Sequence, residues 1–132
     1  MFKTFSIRTN YRTDLIEITD TVYGFLKECK VQEGICVVYV PHTTAGLFIN
    51  ENADPDVVFD VKNFLERLVP WVGDYRHTEG NASAHIKSIL TGNSLTIPIQ
   101  NGRLSLGRWQ GIFFAEFDGP RERKFYIKVL KG

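Results

Sequence analysis

Apolar and polar residues alternate with a period of two near both ends of the chain and with a helical period in its middle, which outlines the fold before any other feature is considered. Phe2, Thr4/Phe5 and Ile7 mark a strand over residues 2–8, and Leu15, Ile16 and Ile18 mark a second over Asp14–Thr19. The polar run Asn10–Thr13 between them predicts that these two strands pair. Asp20 reads as a helix cap, followed by Val22, Tyr23, Leu26 and Cys29 at helical spacing, with Gly34 as the stop. Gly24 weakens that helix by about 1 kcal/mol relative to alanine and leaves its ends loosely defined.

Ile35–Val40 is a continuous apolar run with β-branched residues, the pattern of a buried central strand, and Pro41 ends it just before His42. Leu47–Ile49 is a short second strand, predicted to pair with the first as a hairpin around Thr43–Gly46. Asp54-Pro55-Asp56 places a cap, an N1 proline and a first-turn acid in their preferred order. The helix they start carries Val57, Val58, Val61, Phe64, Leu65 and Leu68 on one face and ends at Pro70. Trp71–Arg76 is a connection, and Asn81 caps a shorter helix from Ala82 to about Leu90, closed by Gly92.

The last third reads as strands. Ser94–Ile99 alternates, Asn101-Gly102 is a strong hairpin signal, and Arg103–Leu106 returns. Trp109–Phe117 is a long aromatic strand broken by Asp118-Gly119-Pro120, and Arg121–Leu130 alternates again. The predicted class is α+β: largely antiparallel, sandwich-like sheets with two to three helices inserted in the middle of the chain, forming a single domain over residues 1–132.

Composition narrows the function classes. Sixteen Lys and Arg against fifteen Asp and Glu leave a formal charge of +1, which argues against bulk electrostatic binding to nucleic acid or to a membrane. No apolar run reaches the roughly 20 residues of a membrane span. The N-terminal residues alternate like a strand and have no cleavable apolar core. Cys29 and Cys36 are not a C-x-x-C pair and sit in apolar surroundings, so reduced thiols and a cytoplasmic location are expected.

Polar residues suited to chemistry gather at the ends of these elements, where a scaffold can aim them. Two of the three histidines, His77 and His85, fall within eleven residues together with Glu79 and Asn81. His42 stands upstream at a strand end. Imidazoles can hold a divalent transition metal or move protons near neutral pH, with Glu79 or Glu116 as orienting acids. The His-x7-His spacing is not a recognised ligand motif, so partly buried histidines satisfied by backbone or carboxylate partners remain the alternative. Lys87, Arg103, Arg108, Arg121 and Arg123 lie near glycines, and with a helix N-terminus at Asn81 they could hold a phosphate. The alternative for each is ordinary surface charge, and Arg121, beside Asp118-Gly119-Pro120, fits that alternative least. Glu51 and Asn52 are not needed for capping and are candidates too. Trp109 and Gln110 offer an aromatic wall and an amide, against core packing and a turn. No nucleophile elbow, catalytic triad signature or P-loop is present.

These residues taken together carry a resemblance. His42-Thr-Thr-Ala-Gly-Leu47, Asn50-Glu-Asn52 with Asp54-Pro-Asp56, His77-Thr-Glu-Gly-Asn-Ala82 and Ala84-His-Ile-Lys87 are similar to motifs of the YjbQ-like family. So are Gly102-Arg-Leu-Ser-Leu-Gly107, Trp109-Gln-Gly-Ile112 and Glu116-Phe-Asp-Gly-Pro-Arg121, in the same order. The resemblance implies a compact α+β domain, a homotrimer with sites near subunit interfaces, and secondary thiamine-phosphate synthase activity. That reaction joins hydroxymethylpyrimidine diphosphate to a thiazole phosphate and releases pyrophosphate. It implies catalytic roles for His42, Glu51, Asn52, Glu79, Asn81, Glu116 and Asp118, and phosphate contacts from Lys87, Arg103, Arg108 and Arg121. A divalent metal, Zn or Mg, on His42, His77 and His85 is a further expectation. The competing expectations are a metal-dependent hydrolase of a small phosphorylated metabolite and a trimer that binds a small ligand without turnover.

Overall fold

The computed structural model describes all of residues 1–132. In chain order it contains β1 (Phe2–Arg8), β2 (Asp14–Glu17), α1 (Thr19–Cys29), β3 (Gly34–Tyr39), β4 (Ala45–Glu51), α2 (Pro55–Leu68), α3 (Ala82–Thr91), β5 (Ser94–Gln100), β6 (Arg103–Leu104), β7 (Gln110–Glu116) and β8 (Glu122–Lys131). One sheet has five strands in the order β1-β8-β3-β5-β6, the other three in the order β2-β7-β4, and every pairing is antiparallel. The α+β class, with its helices in the middle of the chain, is as the patterning predicts.

Two predicted pairings are corrected. β1 and β2 do not pair: β1 runs along β8, while β2 runs along β7 in the other sheet. Nor do β3 and β4 form a hairpin, since β3 lies between β8 and β5 and β4 pairs with β7. In both cases a short polar connection crosses from one sheet to the other, which lets strands adjacent in sequence bury their apolar sides from opposite sides of one core. The Asn101-Gly102 hairpin does form, with both residues at positive φ (51° and 73°) between β5 and β6.

The inner faces meet in a core that includes Phe125, Ile127 and Val129 of β8, Val38 of β3, Leu47 of β4, and Ile112 and Phe114 of β7. Val22, Phe25 and Leu26 of α1 belong to the same core. β7 is buried on both sides, because Ala115 and the following Phe117 face away from this core and pack with Ala84 of α3, Leu65 of α2 and Trp71. That second cluster seats the two later helices.

Helix ends follow the sequence unevenly. Asp54 caps α2 as expected, its Oδ1 accepting the Asp56 amide at 2.9 Å. Asp20 does not cap α1; the helix starts one residue earlier and Asp20 lies in its first turn. The C-terminal end of α1 comes at Lys30, in the left-handed conformation, well before Gly34. Asn81 occupies the N-cap position of α3, but its side chain bonds elsewhere. The apolar face of α2 is also not buried as the periodicity suggests: no α2 residue is fully buried, and Phe59, Phe64 and Leu68 are exposed.

A close approach fixes α3. A Cβ at Gly46 of β4 would lie 2.2 Å from Thr91 Oγ1 and 2.5 Å from the Gly92 carbonyl, so only glycine admits the C-terminal end of the helix there. The Ser88 hydroxyl donates to the Ala45 carbonyl at 2.6 Å and ties the same helix to the same strand.

Candidate functional site

At one end of the two-sheet stack the inner rows turn from apolar to polar in register. The row of Phe125, Ile127 and Val129 on β8 continues to Arg123, that of Ile112 and Phe114 on β7 to Glu116, and that of Phe5 and Ile7 on β1 to Thr9. Arg123 Nε donates to Glu116 Oε1 at 2.8 Å, and a terminal nitrogen donates to Oε2 at 2.5 Å and to the Thr44 hydroxyl at 2.7 Å. The Thr9 hydroxyl contacts Glu116 Oε1 at 2.9 Å and accepts the Arg121 amide at 2.9 Å, while the Asp118 amide donates to Glu116 Oε2 at 2.9 Å. Burial alone would raise the Glu116 carboxyl, but these bonds from Arg123 and the Asp118 amide outweigh it and hold the group below the usual carboxylate range. The pair is the floor of a cleft.

The cleft has a volume of about 450 Å³ and no hydrophobic lining residue. Strand and crossover residues Pro41, His42, Thr43 and Thr44 form one side. The approach to α3 supplies His77, Glu79 and Asn81, and the helix itself supplies His85. The loop between β7 and β8 brings Asp118 and Arg121, and Arg123 reaches it from the floor. All three histidines therefore meet, although no three His, Cys, Asp or Glu side chains form a ready-made cation cage.

Each polar group has a defined setting. Asp118 Oδ2 accepts from Asn81 Nδ2 at 2.9 Å and pairs with Arg121 at 3.1 Å, and Arg121 Nε also donates to the Asp118 carbonyl at 2.9 Å. Asn81 Oδ1 is buried without a partner. The rings of His77 and His85 sit edge to face, centroids 5.2 Å apart. His42 Nε2 accepts the Lys124 backbone amide at 3.1 Å. A neutral imidazole that accepts at Nε2 carries its proton on Nδ1, so His42 is a donor at Nδ1 and has no free lone pair for a metal. Burial, and then the neighbouring Arg123 charge, lower its pKa and favour that neutral form.

The cleft thus gathers His42, His77, Glu79, Asn81, His85, Asp118 and Arg121 from the sequence candidates. The others stand elsewhere. Glu116 is fully buried beneath the cleft with both oxygens engaged, which makes it a positioning group and not one that touches a ligand. Lys87 is 1% exposed and its ammonium lies 3.1 Å from Glu66 of α2, so it holds two helices together and is not free for phosphate. Glu51 and Asn52 follow β4 to its far end, about 20 Å from Ala45 at the rise of a strand. There Asn52 donates to Glu17 at 2.7 Å. Arg103 pairs along Gln100 in β6, and Arg108 lies over the ring of Trp109, 5.8 Å from its centroid; neither lines the cleft. Trp109 is exposed and forms neither a cleft wall nor core. Sequence reasoning misses the lining residues Thr43 and Thr44, and it offers Arg123 as a phosphate contact or a surface charge where the structure makes it the buried partner of Glu116. For Arg123 a signal exists: it falls in phase with Phe125, Ile127 and Val129, where a charge must be paired.

The family model described as UPF0047 protein YjbQ-like matches residues 3–132. The chain is 55% identical to UPF0047 protein MJ1081 of Methanocaldococcus jannaschii, over 98% of this chain and 94% of that one. It is 50% identical to UPF0047 protein YugU of Bacillus subtilis, over 98% and 99%. Its fold is similar to that of an uncharacterized conserved protein of the YjbQ/UPF0047 family from Clostridium acetobutylicum, with a TM-score of 0.95 at 51% identity, covering 97% and 99% of the two chains. Hypothetical protein APE1520 of Aeropyrum pernix gives a TM-score of 0.96 at 38% identity, over 100% and 99%. The chain belongs to the YjbQ-like UPF0047 family.

Proposed function

We propose that this protein is a thiamine-phosphate synthase-like transferase that joins hydroxymethylpyrimidine diphosphate to a thiazole phosphate in the histidine–arginine cleft. The observation that carries this reading is the largely polar lining, in which Arg121, His42, Thr43 and Thr44 offer donors to an anion. The thiazole nitrogen lone pair forms the new C–N bond at the pyrimidine methylene carbon. The C–O bond to the diphosphate breaks, and pyrophosphate leaves with that electron pair. No protein nucleophile is required. The chain's task is to hold both substrates and to stabilise charge on the leaving oxygens, which suits Arg121 and the Nδ1–H of His42.

Of the two expected cations, the imidazoles of His77 and His85 fit Zn and not Mg, which prefers oxygen ligands, with His42 left out by its bond to the Lys124 amide. Such an ion, held there, would supply positive charge to the departing diphosphate. A cytoplasmic location is part of the reading and agrees with two free thiols, of which buried Cys36 is pushed up to about 11 by desolvation and then by Cys29. A homotrimer is part of it as well. Phe59, Phe64 and Leu68 of α2 and Ile89 and Leu90 of α3 are apolar surface that association would cover, and Glu51 and Asn52 would then act on a neighbour's cleft.

The test is a substrate panel run with and without chelator, beside a native mass measurement. Pyrophosphate release that needs both substrates supports the synthase. Inorganic phosphate from a single substrate identifies a hydrolase instead, and tight binding without product identifies a ligand-binding protein.

A further inference from the structure

The connection from α2 to α3 has more internal structure than a linker requires. The Tyr75 hydroxyl donates to the Pro70 carbonyl at 2.5 Å, and the Tyr75 amide donates to the Gly73 carbonyl at 3.0 Å. A Cβ at Gly73 would lie 2.9 Å from Tyr75 Cε2, so a glycine is needed for the ring to fold back on its own loop. Trp71 is held from two directions. It packs on the Ala84–Ala115–Phe117 cluster, and the Arg12 guanidinium lies 4.2 Å from its ring centroid. Two aromatic side chains are thereby fixed beside α3 without filling the space between them.

That space is a cavity of about 290 Å³ whose lining includes Trp71, Val72, Tyr75, Ala82 and His77. His77 also lines the polar cleft, so one imidazole is the shared wall of that cleft and an aromatic pocket. The pocket lies at the small end of the range for ligand sites, with apolar and aromatic walls and few polar groups. Fixed aromatic faces of this kind recognise flat rings by stacking or edge-to-face contact.

We infer that the Trp71–Tyr75 pocket is the subsite for the planar ring of a ligand whose phosphate occupies the Arg121 cleft, with His77 at the junction. The inference rests on the reading of the cleft as a phosphate site and adds where the ring is held. It assigns a binding role to Trp71 and Tyr75, which neither spacing nor motif singled out.

Phenyl phosphate, propyl phosphate and inorganic phosphate separate the two halves of such a ligand. In a Trp109→Phe background Trp71 is the sole tryptophan of the chain. Phenyl phosphate is expected to quench its fluorescence and, by calorimetry, to bind about tenfold more tightly than propyl phosphate, the scale of one ring contact. Ala82→Leu, which fills the pocket, and Trp71→Leu, which removes a wall, should each abolish that advantage and leave inorganic phosphate affinity unchanged. Arg121→Ala should weaken all three ligands together. Equal affinity for phenyl and propyl phosphate in the unsubstituted protein, or a ring advantage that survives both pocket variants, overturns the inference. Ring-selective binding without synthase turnover keeps the pocket and removes the synthase. Turnover without ring selectivity removes the pocket alone.

Discussion

Arg123 and Glu116 face each other across the two sheets, joined by two hydrogen bonds of 2.8 and 2.5 Å, and close the core directly below the cleft. Both are almost wholly buried, so neither charge has water to fall back on. Arg123→Ala should therefore destabilise the fold by about 3–5 kcal/mol, the cost of leaving one buried charge unpaired. Urea unfolding measures it. The double variant Arg123→Met/Glu116→Gln should lose less than Arg123→Ala alone, and a double variant that loses more would remove the pair from its structural role.

The same pair predicts how acid acts on the protein. Glu116 and Glu66 are both held below their usual carboxylate values: burial opposes this, but hydrogen bonds from Arg123 and the Asp118 amide, and from Thr13 and Lys87, prevail. A depressed folded-state value means that the unfolded chain takes up protons first as the pH falls. The stabilisation is complete above the unfolded carboxylate value of about 4.3 and disappears as pH drops through the lower folded values. Stability curves at a series of pH values should show this loss, and Glu116→Gln/Arg123→Met should flatten it.

His42 should titrate below the ordinary histidine value of about 6.5, because burial and the Arg123 charge oppose its protonation. NMR of the imidazole nitrogens should find a neutral ring protonated at Nδ1 at pH 7, as the Lys124 amide requires. A neutral ring protonated at Nε2 would contradict this geometry and reopen His42 as a metal ligand.

Lys87 and Arg121 separate structure from binding. Lys87→Met should leave inorganic phosphate affinity unchanged while costing about 1–3 kcal/mol of stability, since Glu66 loses its partner. Arg121→Ala should do the reverse, because its side chain is half exposed at the cleft and holds little together. Thermal melts and phosphate titrations of the two variants decide the matter.

His85→Ala should lower turnover in the proposed synthase reaction at least about 100-fold, the lower range for loss of one group acting on a transition state. Single-turnover pyrophosphate release is the measurement. Unchanged turnover would remove His85 from the site even if the reaction is the one proposed.

Most strands, the capped α2 and the Asn101-Gly102 turn were legible in the sequence because each rests on local rules: period, capping and turn chemistry. The cleft was half legible. His42, His77, Glu79, Asn81, His85, Asp118 and Arg121 stand at element ends, where polar residues have no need to pack. Lys87 misled because it sits beside His85 in a polar-looking run, yet the helix turns it toward Glu66. Glu51 lies outside the cleft of its own chain because a motif records order along the chain and not distance, and a seven-residue strand carries it away from His42.

The chain by itself determined the class of the fold and the set of residues able to do chemistry, since period and residue type are properties of short segments. Which strands pair, that two short connections cross between sheets, that Arg123 neutralises Glu116, and that His77 stands between a polar cleft and an aromatic pocket were decided only in three dimensions. The reason is physical. Burying two sheets against each other rewards long-range matching of apolar rows, and no local rule records which row will lie opposite which.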